Sequence, residues 1–569
     1  MVQRGALWKL DCDVLVVGAG GAAGRAALAA SDAGCRVAVV TKRRAGKAGA
    51  TAVGGRITAV GAFNCARPER GDHPDLYYQD MAAAAAGTCS PPLARIIADE
   101  APAAFDRLRA MGVPFVTEGD GLLQVTGCFS TRPRSYLIPG HGLPIVTAQT
   151  EELRRRGVPL LDDCSLVELL VDSERVIGAV VWHPERGFGV ARCGAVILGT
   201  GGAGNVFPLT FSPPDVTGDG YGAALRAGAV LANMEFVQFG YSLLHPAKNE
   251  FESWVWALQP RVLNGEGREF LPARIGGLPV ADVFAERSTH YPFSASRPGS
   301  RMLDVLIQRE ISRGSPTPHG GVWLDFSAVG ALPDGLSRLW RITADWFQSR
   351  GVDLEHQPIE VGLVAHAFNG GLAIDENAES SVGGLFAAGE CATGPHGADR
   401  LGGNMLLASQ VFGERAGRYA AGARDVASWP RVEDGAEAHL GRLLAGRAAT
   451  DQRRLRRQLQ LRMAAAGALG REREGMSEAL TWVREAQEVM SGLRWEDRTG
   501  PLLLDMRNLL LSAESLLMAA LLREESRGSH FRTDLPDRDD RRWAKPVFSR
   551  LAGGTVQPLS ATWPAVRSR

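Results

Sequence analysis

The sequence predicts an α/β fold in which a nucleotide-binding domain is assembled from separated parts of the chain, with an inserted cap and a helical C-terminal domain. Three observations lead to this prediction. Apolar runs that end in glycines occur at three places within the first 390 residues. A segment with many Pro, Gly and Trp residues separates the last run from the others. After about residue 435 the composition changes to Leu, Ala, Arg and Glu at helical spacing.

The first unit has the order strand, tight turn, helix, strand. Residues 13–17 and 35–41 are apolar runs, and residues 25–33 form a helix of small side chains. Glycines in the turn allow close approach of the backbone to a pyrophosphate, whose charge is stabilised at the helix N-terminus. We interpret the turn as a dinucleotide site, with a purely structural turn as the alternative. Its G-x-G-x-x-A pattern covers Gly18, Ala19, Gly20, Gly21, Ala22 and Ala23.

Two further apolar runs contribute to the same predicted domain. Residues 195–198 run into the glycine-rich string 199–204, and residues 384–388 run into a Gly-Glu pair. The insertion at 245–355 contains Trp254, Trp256, Trp323 and many Pro and Gly residues and should form a cap. The leucine-rich C-terminal part has polar interruptions, so we expect a buried helix there and not a membrane helix.

Composition excludes several classes of protein. In 569 residues, 63 Lys plus Arg balance 63 Asp plus Glu, so no basic surface is expected for nucleic-acid phosphates or anionic lipids. The hydrophobic content of 45% is that of a folded protein. The N-terminus lacks a secretory apolar segment and no charge-free stretch could span a membrane, so we expect a cytoplasmic protein without direct membrane insertion. The eight cysteines are isolated from one another, which predicts neither a metal site nor an iron–sulfur cluster.

Six longer strings are specific enough to indicate a family. They are ILGTGGAGNVF (197–207), TGDGYGAALRAGA (217–229), MEFVQF (234–239), GLFAAGE (384–390), HGADRLGGNMLL (396–407) and REESRGSHFRTDLPDRDDRRW (523–543). With these strings the chain resembles the flavoprotein subunits of succinate dehydrogenase and fumarate reductase, which have L-aspartate oxidase and adenylylsulfate reductase as relatives. The resemblance covers about residues 10–545.

The resemblance implies a Rossmann-type FAD-binding domain with an inserted α+β capping domain and a C-terminal helical domain. On this chain the FAD-binding domain would be discontinuous. The boundaries that we predict are 1–244 and 356–430 for the FAD-binding domain, 245–355 for the capping domain, 431–526 for the helical domain and 527–569 for a C-terminal tail.

The resemblance also implies which residues hold FAD. Thr41 and Lys42 would face the adenosine side, and carboxylates at Asp219 and Glu390 would accept hydrogen bonds from the cofactor. The helix that begins near Asn404 would place its N-terminus under the flavin. The alternatives are a solvated lysine, an exposed strand-end acid and an ordinary helix start. The full predicted set is Gly18, Ala19, Gly20, Gly21, Ala22, Ala23, Thr41, Lys42, Ala48, Gly49, Gly54, Gly55, Thr200, Gly201, Gly202, Asp219, Glu390, Asn404, Met405 and Leu406.

One departure from the family concerns the flavin linkage. Members that belong to complexes usually carry a histidine, bonded covalently to the flavin, just before an AAQGG-like string. Counting back from Gly54 and Gly55 places Ala48 at that position. Alanine cannot form the bond, so we expect FAD to be bound non-covalently.

The family holds its substrate with two carboxylate clamps and protonates it with an arginine. In this chain His366, in HAFNGG, and Arg400, in HGADRLGG, resemble the two residues of one clamp. The family's arginine string reads HGANRLG. Arginine can bind a carboxylate through two hydrogen bonds and keeps its charge. The alternatives are a structural ion pair for Arg400, for example with Asp399, and a satisfied interior histidine for His366.

The second clamp and the proton relay of the family are altered. Gly240 replaces the histidine of a QFHPT string, and constant spacing puts Glu252 at the position of a carboxylate-binding threonine. Ser253 and Trp256 fall where a Glu and an Arg would relay a proton. The catalytic arginine aligns with Ser300, and a shift of one residue would make it Arg301. We therefore predict His366, Arg400 and Arg301 as the catalytic set, with a structural arginine as the alternative for Arg301.

These observations predict an FAD-dependent oxidoreductase that transfers hydride between flavin N5 and an organic anion other than fumarate or succinate. L-aspartate oxidase is one alternative. An FAD-carrying electron-transfer subunit without its own substrate chemistry is another. Because the chain has no cluster-binding cysteines, its electrons must pass to oxygen, a soluble electron carrier or a separate iron–sulfur subunit.

Overall fold

The computed structural model describes residues 7–47, 49–53, 60–330, 332, 335–423, 432–448 and 451–563. Its centre is a five-stranded sheet in which every neighbouring pair is parallel. The sheet combines distant parts of the sequence, as the three apolar runs predict. Its strand order is Leu385–Ala387, Ala195–Leu198, Val14–Val17, Val37–Val40 and Leu160–Leu161.

Helices made of small residues cover this sheet. Gly21–Asp32 packs along Asn404–Ala420, and alanines and glycines on both helices allow close contact. Leu143–Arg155 also packs against the first helix, and its Gln149 donates to Gln410 of Asn404–Ala420 at 2.8 Å. The remaining helices of this part are Ala50–Val53, Pro74–Ala85, Pro91–Ala110 and Asp219–Arg226, with short 3-10 helices at Pro68–Arg70, Gly204–Val206, Gly389–Cys391 and Ala421–Ala423.

Several smaller sheets surround the central one. One four-stranded sheet contains Trp8–Asp11, Gly187–Arg192, Arg175–His183 and Ser165–Asp172. A five-stranded sheet reaches the C-terminal part and contains Ala392–Thr393, Gly371–Ala373, Leu231–Ala232, Phe548–Ala552 and Thr555–Leu559. The short pieces are Val60–Asn64, Ser135–Pro139 and Gln124–Val125 in one sheet, Thr117–Glu118 with Gly121–Leu122, and Arg274–Ile275 with Leu278–Pro279.

The inserted segment is built on another five-stranded sheet. Its long central strands, Val237–His245 and Ile359–Phe368, are antiparallel neighbours that enter and leave the insertion. Strands Asn249–Glu250, Val322–Asp325 and Arg261–Leu263 complete the sheet. Its helices are Ser253–Leu258 (3-10), Val280–Arg287, Ser300–Ser312 and Ser337–Gln348.

The C-terminal part is helical, with Val432–Leu444, Gln452–Ala466, Arg473–Ser491, Gly500–Leu522 and Asp540–Trp543. Gly500–Leu522 is buried over most of its length, including the polar Glu514 and Ser515, and it packs on Arg473–Ser491 and Asp219–Arg226. In the part of the chain that the structure describes, no helix is both long and apolar enough to cross a membrane. The α/β fold with a cap and a helical C-terminal domain is confirmed.

Candidate active site

A glycine-lined cavity opens at the carboxyl end of the central parallel sheet. Strands Val14–Val17, Val37–Val40 and Ala195–Leu198 all end at its wall, and Ala388 to Glu390 follow the fourth strand there. Ligands of open α/β sheets bind at this edge, where strand ends and helix N-termini converge. The cavity extends from Thr41 and Lys42 at one end to His366 and Arg400 at the other.

The first turn suits a ligand that contacts the backbone. Gly18 has φ +107°, and a Cβ there would overlap the carbonyl of Gly199, so only glycine fits. By contrast, a Cβ added at Gly20 would lie 3.8 Å from the Thr51 hydroxyl and would meet no other protein atom within 4 Å. Gly20 is also the N-cap of helix Gly21–Asp32 and supplies no side-chain cap. The first backbone N–H groups of this helix therefore face the cavity.

A second helix N-terminus meets the same cavity. Helix Asn404–Ala420 has Gly403 as its N-cap, again without a side-chain cap, and Met405 and Leu406 line the cavity. A helix N-terminus carries partial positive charge and unsatisfied N–H groups. The two ends thus create two regions of positive potential in one cavity.

Two acidic residues stand on the cavity wall. Glu390 accepts a hydrogen bond from the Phe368 N–H at 2.8 Å, and burial raises the pKa of its carboxyl. Asp219 receives the Lys42 ammonium at 2.8 Å, and the same ammonium lies 2.6 Å from Asp505 and 2.7 Å from the Thr217 hydroxyl. Lys42 thus links the end of strand Val37–Val40 to helix Gly500–Leu522. Its ammonium group donates to side chains of the protein.

Three of the predicted cofactor residues do not line the cavity. Ala23 packs on Gly199 instead, and Gly202 lies against the Glu390 carboxylate. The Asn404 side chain turns away and accepts hydrogen bonds from Asn64 and Tyr77, because it is fully buried behind the helix start. Predicted positions Ala48, Gly54 and Gly55 lie outside the described residues. The predicted positions that do line it are Gly18, Ala19, Gly20, Gly21, Ala22, Thr41, Lys42, Gly49, Thr200, Gly201, Asp219, Glu390, Met405 and Leu406.

His366 and Arg400, predicted from separate strings, come together at one end of the cavity. Arg400 is buried, and its Nε donates to Gln238 Oε1 at 3.1 Å while Gln238 Nε2 donates back to the Arg400 carbonyl at 3.2 Å. His366 has the rings of Phe211 and Tyr291 edge-on at 5.6 and 5.5 Å. Burial, together with the Arg400 charge, lowers the pKa of nearby His396 to about 3. His396 is therefore neutral beside the Arg400 cation.

A second, arginine-lined cavity adjoins the first. The two share the wall residues Ala62, Cys128, Tyr291 and Gly402. The second cavity has a volume of about 890 Å³, near the upper end of small-molecule sites. Residues of the insertion and of the C-terminal part line it together with Asp399, and they include Glu252, Ser253, Arg297, Arg301 and Arg527. A molecule in the arginine-lined cavity would lie beside the end of the glycine-lined cavity that contains Arg400.

The family's second clamp is replaced by packing. The Tyr291 ring lies against Gly240, where a Cβ would be 2.5 Å from the ring carbon Cζ. The Tyr291 hydroxyl donates to the Tyr241 carbonyl at 3.0 Å. Trp256, which aligns with a relay arginine, is fully buried against Tyr241. A histidine clamp has no space at 240 as long as the tyrosine ring lies there.

Ser300 and Arg301 have different environments. Ser300 is buried, with its hydroxyl 2.8 Å from His290 Nε2, and burial lowers the pKa of that histidine to about 3. Arg301 lines the arginine-lined cavity, donates to the Ala295 carbonyl at 3.1 Å and packs over the Phe531 ring. Its Nε is buried and has no hydrogen-bond partner among the described residues.

Sequence reasoning missed several wall residues. Cys128, His141, Phe211 and Tyr291 line the glycine-lined cavity although none lies in a string that indicates chemistry. Phe129, His141 and Gln259 have left-handed backbone conformations at non-glycine positions, which the sequence does not reveal. For Tyr291 the only signal was Gly240, since a missing side chain implies that something else occupies its space.

Comparison with known proteins identifies the chain. The model of the FAD binding domain family matches residues 13–406, and that of the fumarate reductase flavoprotein C-terminal family matches residues 456–559. The chain belongs to the fumarate reductase and succinate dehydrogenase flavoprotein family. It is an FAD-dependent oxidoreductase of that family.

Relatives cover nearly the whole flavoprotein. One subunit of the fumarate reductase (CoM/CoB) of Methanothermobacter marburgensis is 34% identical over 93% of this chain and 95% of that protein. L-aspartate oxidase of Streptomyces coelicolor is 32% identical over 96% of this chain and 92% of that protein. The solved structure of Mycobacterium smegmatis Sdh1 in complex with UQ1 has a TM-score of 0.81 at 31% identity, covering 98% and 94% of the two chains.

The glycine-lined cavity of this flavoprotein fits FAD by its own chemistry. Two uncapped helix N-termini suit the anionic parts of the cofactor, Gly20 leaves the backbone accessible, and Glu390 offers a buried acceptor. When bound, FAD supplies hydride exchange at N5 of its isoalloxazine ring. The side chains of the protein bind the substrate beside FAD and transfer the protons.

Proposed function

We propose that this flavoprotein transfers hydride between FAD and an organic anion that is held at one end by Arg400 and His366. The predicted site residues remain part of this proposal, and FAD is bound non-covalently in it. The observation that carries the proposal is the contrast between the two clamps. Arg400 and His366 remain on the cavity wall, whereas the Tyr291 ring fills the space over Gly240.

The charge distribution supports an anion with one strongly held acidic group. Arg400 is buried and permanently charged, so a carboxylate or similar group gains a desolvated, charge-assisted contact there. At the position of the second clamp, Glu252 faces the adjoining cavity and would repel a second carboxylate. A symmetric four-carbon dicarboxylate would therefore be held at one end only.

The size of the adjoining cavity supports a substrate larger than fumarate. Its volume of about 890 Å³ exceeds what a four-carbon chain fills, and its wall mixes aromatic and arginine side chains. We infer that the body of the substrate extends from Arg400 past Tyr291 into the arginine-lined cavity. Arg301 would contact polar groups of that body, since its guanidinium already lies on the wall.

L-aspartate oxidase is the second candidate, because relatives that are 29–32% identical to this chain carry that name. A specific observation also favours it: Glu252 on the cavity wall could pair with an ammonium group. Against it stand the replaced clamp at Gly240 and the buried Trp256.

An anaerobic stopped-flow panel separates these candidates. The reduced protein is mixed with fumarate and with larger α,β-unsaturated monocarboxylates, and the oxidised protein with succinate and L-aspartate. Flavin absorbance reports hydrogen transfer directly. Fast reaction with an extended monocarboxylate supports the proposal, and fast reduction by L-aspartate supports the oxidase. If no compound changes the flavin, the electron-transfer alternative is favoured, in which the partner would be a soluble carrier or an iron–sulfur subunit.

A further inference from the structure

Asp399 is a buried acid on the wall of the arginine-lined cavity. It is 3% exposed, and it occupies the position at which the resembling family has the asparagine of HGANRLG. Its Oδ2 accepts a hydrogen bond from the Ser294 hydroxyl at 2.6 Å. Its Oδ1 is buried and has no hydrogen-bond partner among the described residues. A buried, unpaired carboxylate oxygen is costly when it is charged, so this geometry favours a neutral carboxyl.

The surroundings of Asp399 favour a proton on its carboxyl. Burial raises the pKa of Asp399 to about 7, and the hydrogen bond from Ser294 and the charge of Arg297 oppose that rise only partly. Arg400, the next residue, directs its Nε to Gln238. Arg527 is already paired with Glu525 and Asp540. The charged side chains on the same cavity wall are Asp80, Glu252, Arg297, Arg301, Arg527, Asp537 and Arg538.

Two hydroxyl groups connect Asp399 to solvent. The Ser294 hydroxyl lies 2.6 Å from the Ser296 hydroxyl, and Ser296 is exposed in the same cavity. The Ser296 N–H donates to the Ser294 hydroxyl at 3.2 Å and holds the turn in place. A hydroxyl can accept one proton while it donates another, so the order Ser296, Ser294, Asp399 forms a continuous proton path.

In this chain the residues at the family's relay positions cannot transfer a proton to the substrate. Ser253 has no titratable group in the relevant range, Trp256 is fully buried, and the Ser300 hydroxyl is engaged with His290. Asp399 is an acid that this chain has gained on the cavity wall that also carries Ser253.

We propose that Asp399 is the proton donor and acceptor for the substrate, and that Ser294 and Ser296 connect it to solvent. This inference rests on the proposed function. In substrate reduction, two electrons and one proton reach one substrate carbon as the hydride from reduced FAD, and the Asp399 carboxyl gives a second proton to the neighbouring carbon. The carboxylate then regains a proton from Ser294, which takes one from Ser296 and solvent. In substrate oxidation the same protons move in the opposite direction.

The test compares wild-type holoprotein with Asp399→Asn and Asp345→Asn. Asparagine keeps the shape of the side chain and cannot carry the proton. Asp345 is an exposed acid in helix Ser337–Gln348 and lines neither cavity. The first readout needs no turnover: the infrared band of a protonated carboxyl, followed from about pH 5 to about pH 9. We expect a band that disappears near pH 7 in the wild type and in Asp345→Asn and that is missing in Asp399→Asn. A band that is absent, or unchanged in Asp399→Asn, overturns the proposal.

The second readout is the rate of hydrogen transfer with the anion found in the substrate panel. Asp399→Asn should slow it by about 10²- to 10⁴-fold and flatten its pH profile, whereas Asp345→Asn should change neither. In the wild type, substrate reduction should slow above pH 7, because the donor has lost its proton. A rate within about threefold of wild type in Asp399→Asn, or a comparable loss only in Arg301→Lys, overturns the assignment and favours Arg301 as donor. If no anion reacts, the proposed function fails, and the infrared titration alone decides whether Asp399 holds the proton.

Discussion

The Tyr291 ring and Gly240 form a pair in which each residue depends on the other. A Cβ at position 240 would be 2.5 Å from Tyr291 Cζ, and the tyrosine hydroxyl is anchored on the Tyr241 carbonyl. Because the ring lies on the wall shared by the two cavities, this pair fixes part of the boundary between the glycine-lined and the arginine-lined cavity.

Gly240→Ala should lower the midpoint of thermal unfolding, because the added methyl group forces the ring to move, at a cost of about 1–3 kcal/mol. Tyr291→Ala should remove that conflict, so the double variant should lose less than the sum of the two single variants. Gly441→Ala is the matched control, since a Cβ there meets no atom within 4 Å and the residue lies inside a helix. Additive effects of Gly240→Ala and Tyr291→Ala would contradict the coupling.

Acid precipitation should release the flavin as free FAD and leave a colourless pellet. Ala48 offers no nucleophile for a covalent bond to the flavin. The measurement is chromatography and absorbance of the supernatant. Colour that stays with the pellet, or release of FMN, would show that the prediction of non-covalent FAD is wrong.

Gly20→Val should reduce FAD occupancy and leave the apoprotein folded. A Cβ at this position meets protein only at the Thr51 hydroxyl, 3.8 Å away, so the branched side chain would obstruct the cofactor and not the fold. Glu390→Ala should also reduce occupancy, because it removes a buried acceptor.

Gly18→Ala provides the contrasting control for FAD occupancy. Its positive φ and the nearby Gly199 carbonyl predict a loss of folding stability itself. Flavin content by absorbance and secondary structure by circular dichroism separate the two effects. Full occupancy in Gly20→Val would show that the pyrophosphate lies elsewhere.

Fumarate reduction by artificial electron donors should be at least about four decades slower than the roughly 10 per second of a median enzyme. The reason is the combined loss of a clamp at Gly240, a repulsive Glu252 and Ser300 in the catalytic position, each worth on the order of 2–4 kcal/mol. Steady-state assays over a range of fumarate concentrations provide the measurement. Turnover within tenfold of the median would mean that other residues have rebuilt the dicarboxylate site.

Arg400→Ala should raise KM for the true substrate and lower kcat/KM at least about a hundredfold, which corresponds to the loss of a desolvated charge-assisted contact. Arg418→Ala changes an exposed arginine on the helix Asn404–Ala420 that follows Arg400, and this control should behave as wild type. Nearly unchanged kinetics in Arg400→Ala would remove Arg400 from substrate binding.

Much of the fold could be predicted because the signals are local. The runs 13–17, 195–198 and 384–388 each contain a buried strand, and all three strands lie in one sheet. The glycine turn could be placed on the cavity for the same reason, since turn geometry depends on a few consecutive residues. Ala23, Gly202 and Asn404 lie in the same strings but do not line the cavity, because neighbouring residues of a turn or helix point in different directions.

The sequence by itself determined the fold class, the FAD site at the strand ends and the retention of His366 and Arg400, because these depend on short strings that carry their own geometry. Only the tertiary structure decided what occupies the altered positions. Tyr291 is 51 residues from Gly240 along the chain and lies against it. Ser294 is likewise distant from Asp399 and bonds to it. Such pairings arise from packing between separate segments, and no local pattern of residues encodes which side chain will fill a space that another has left.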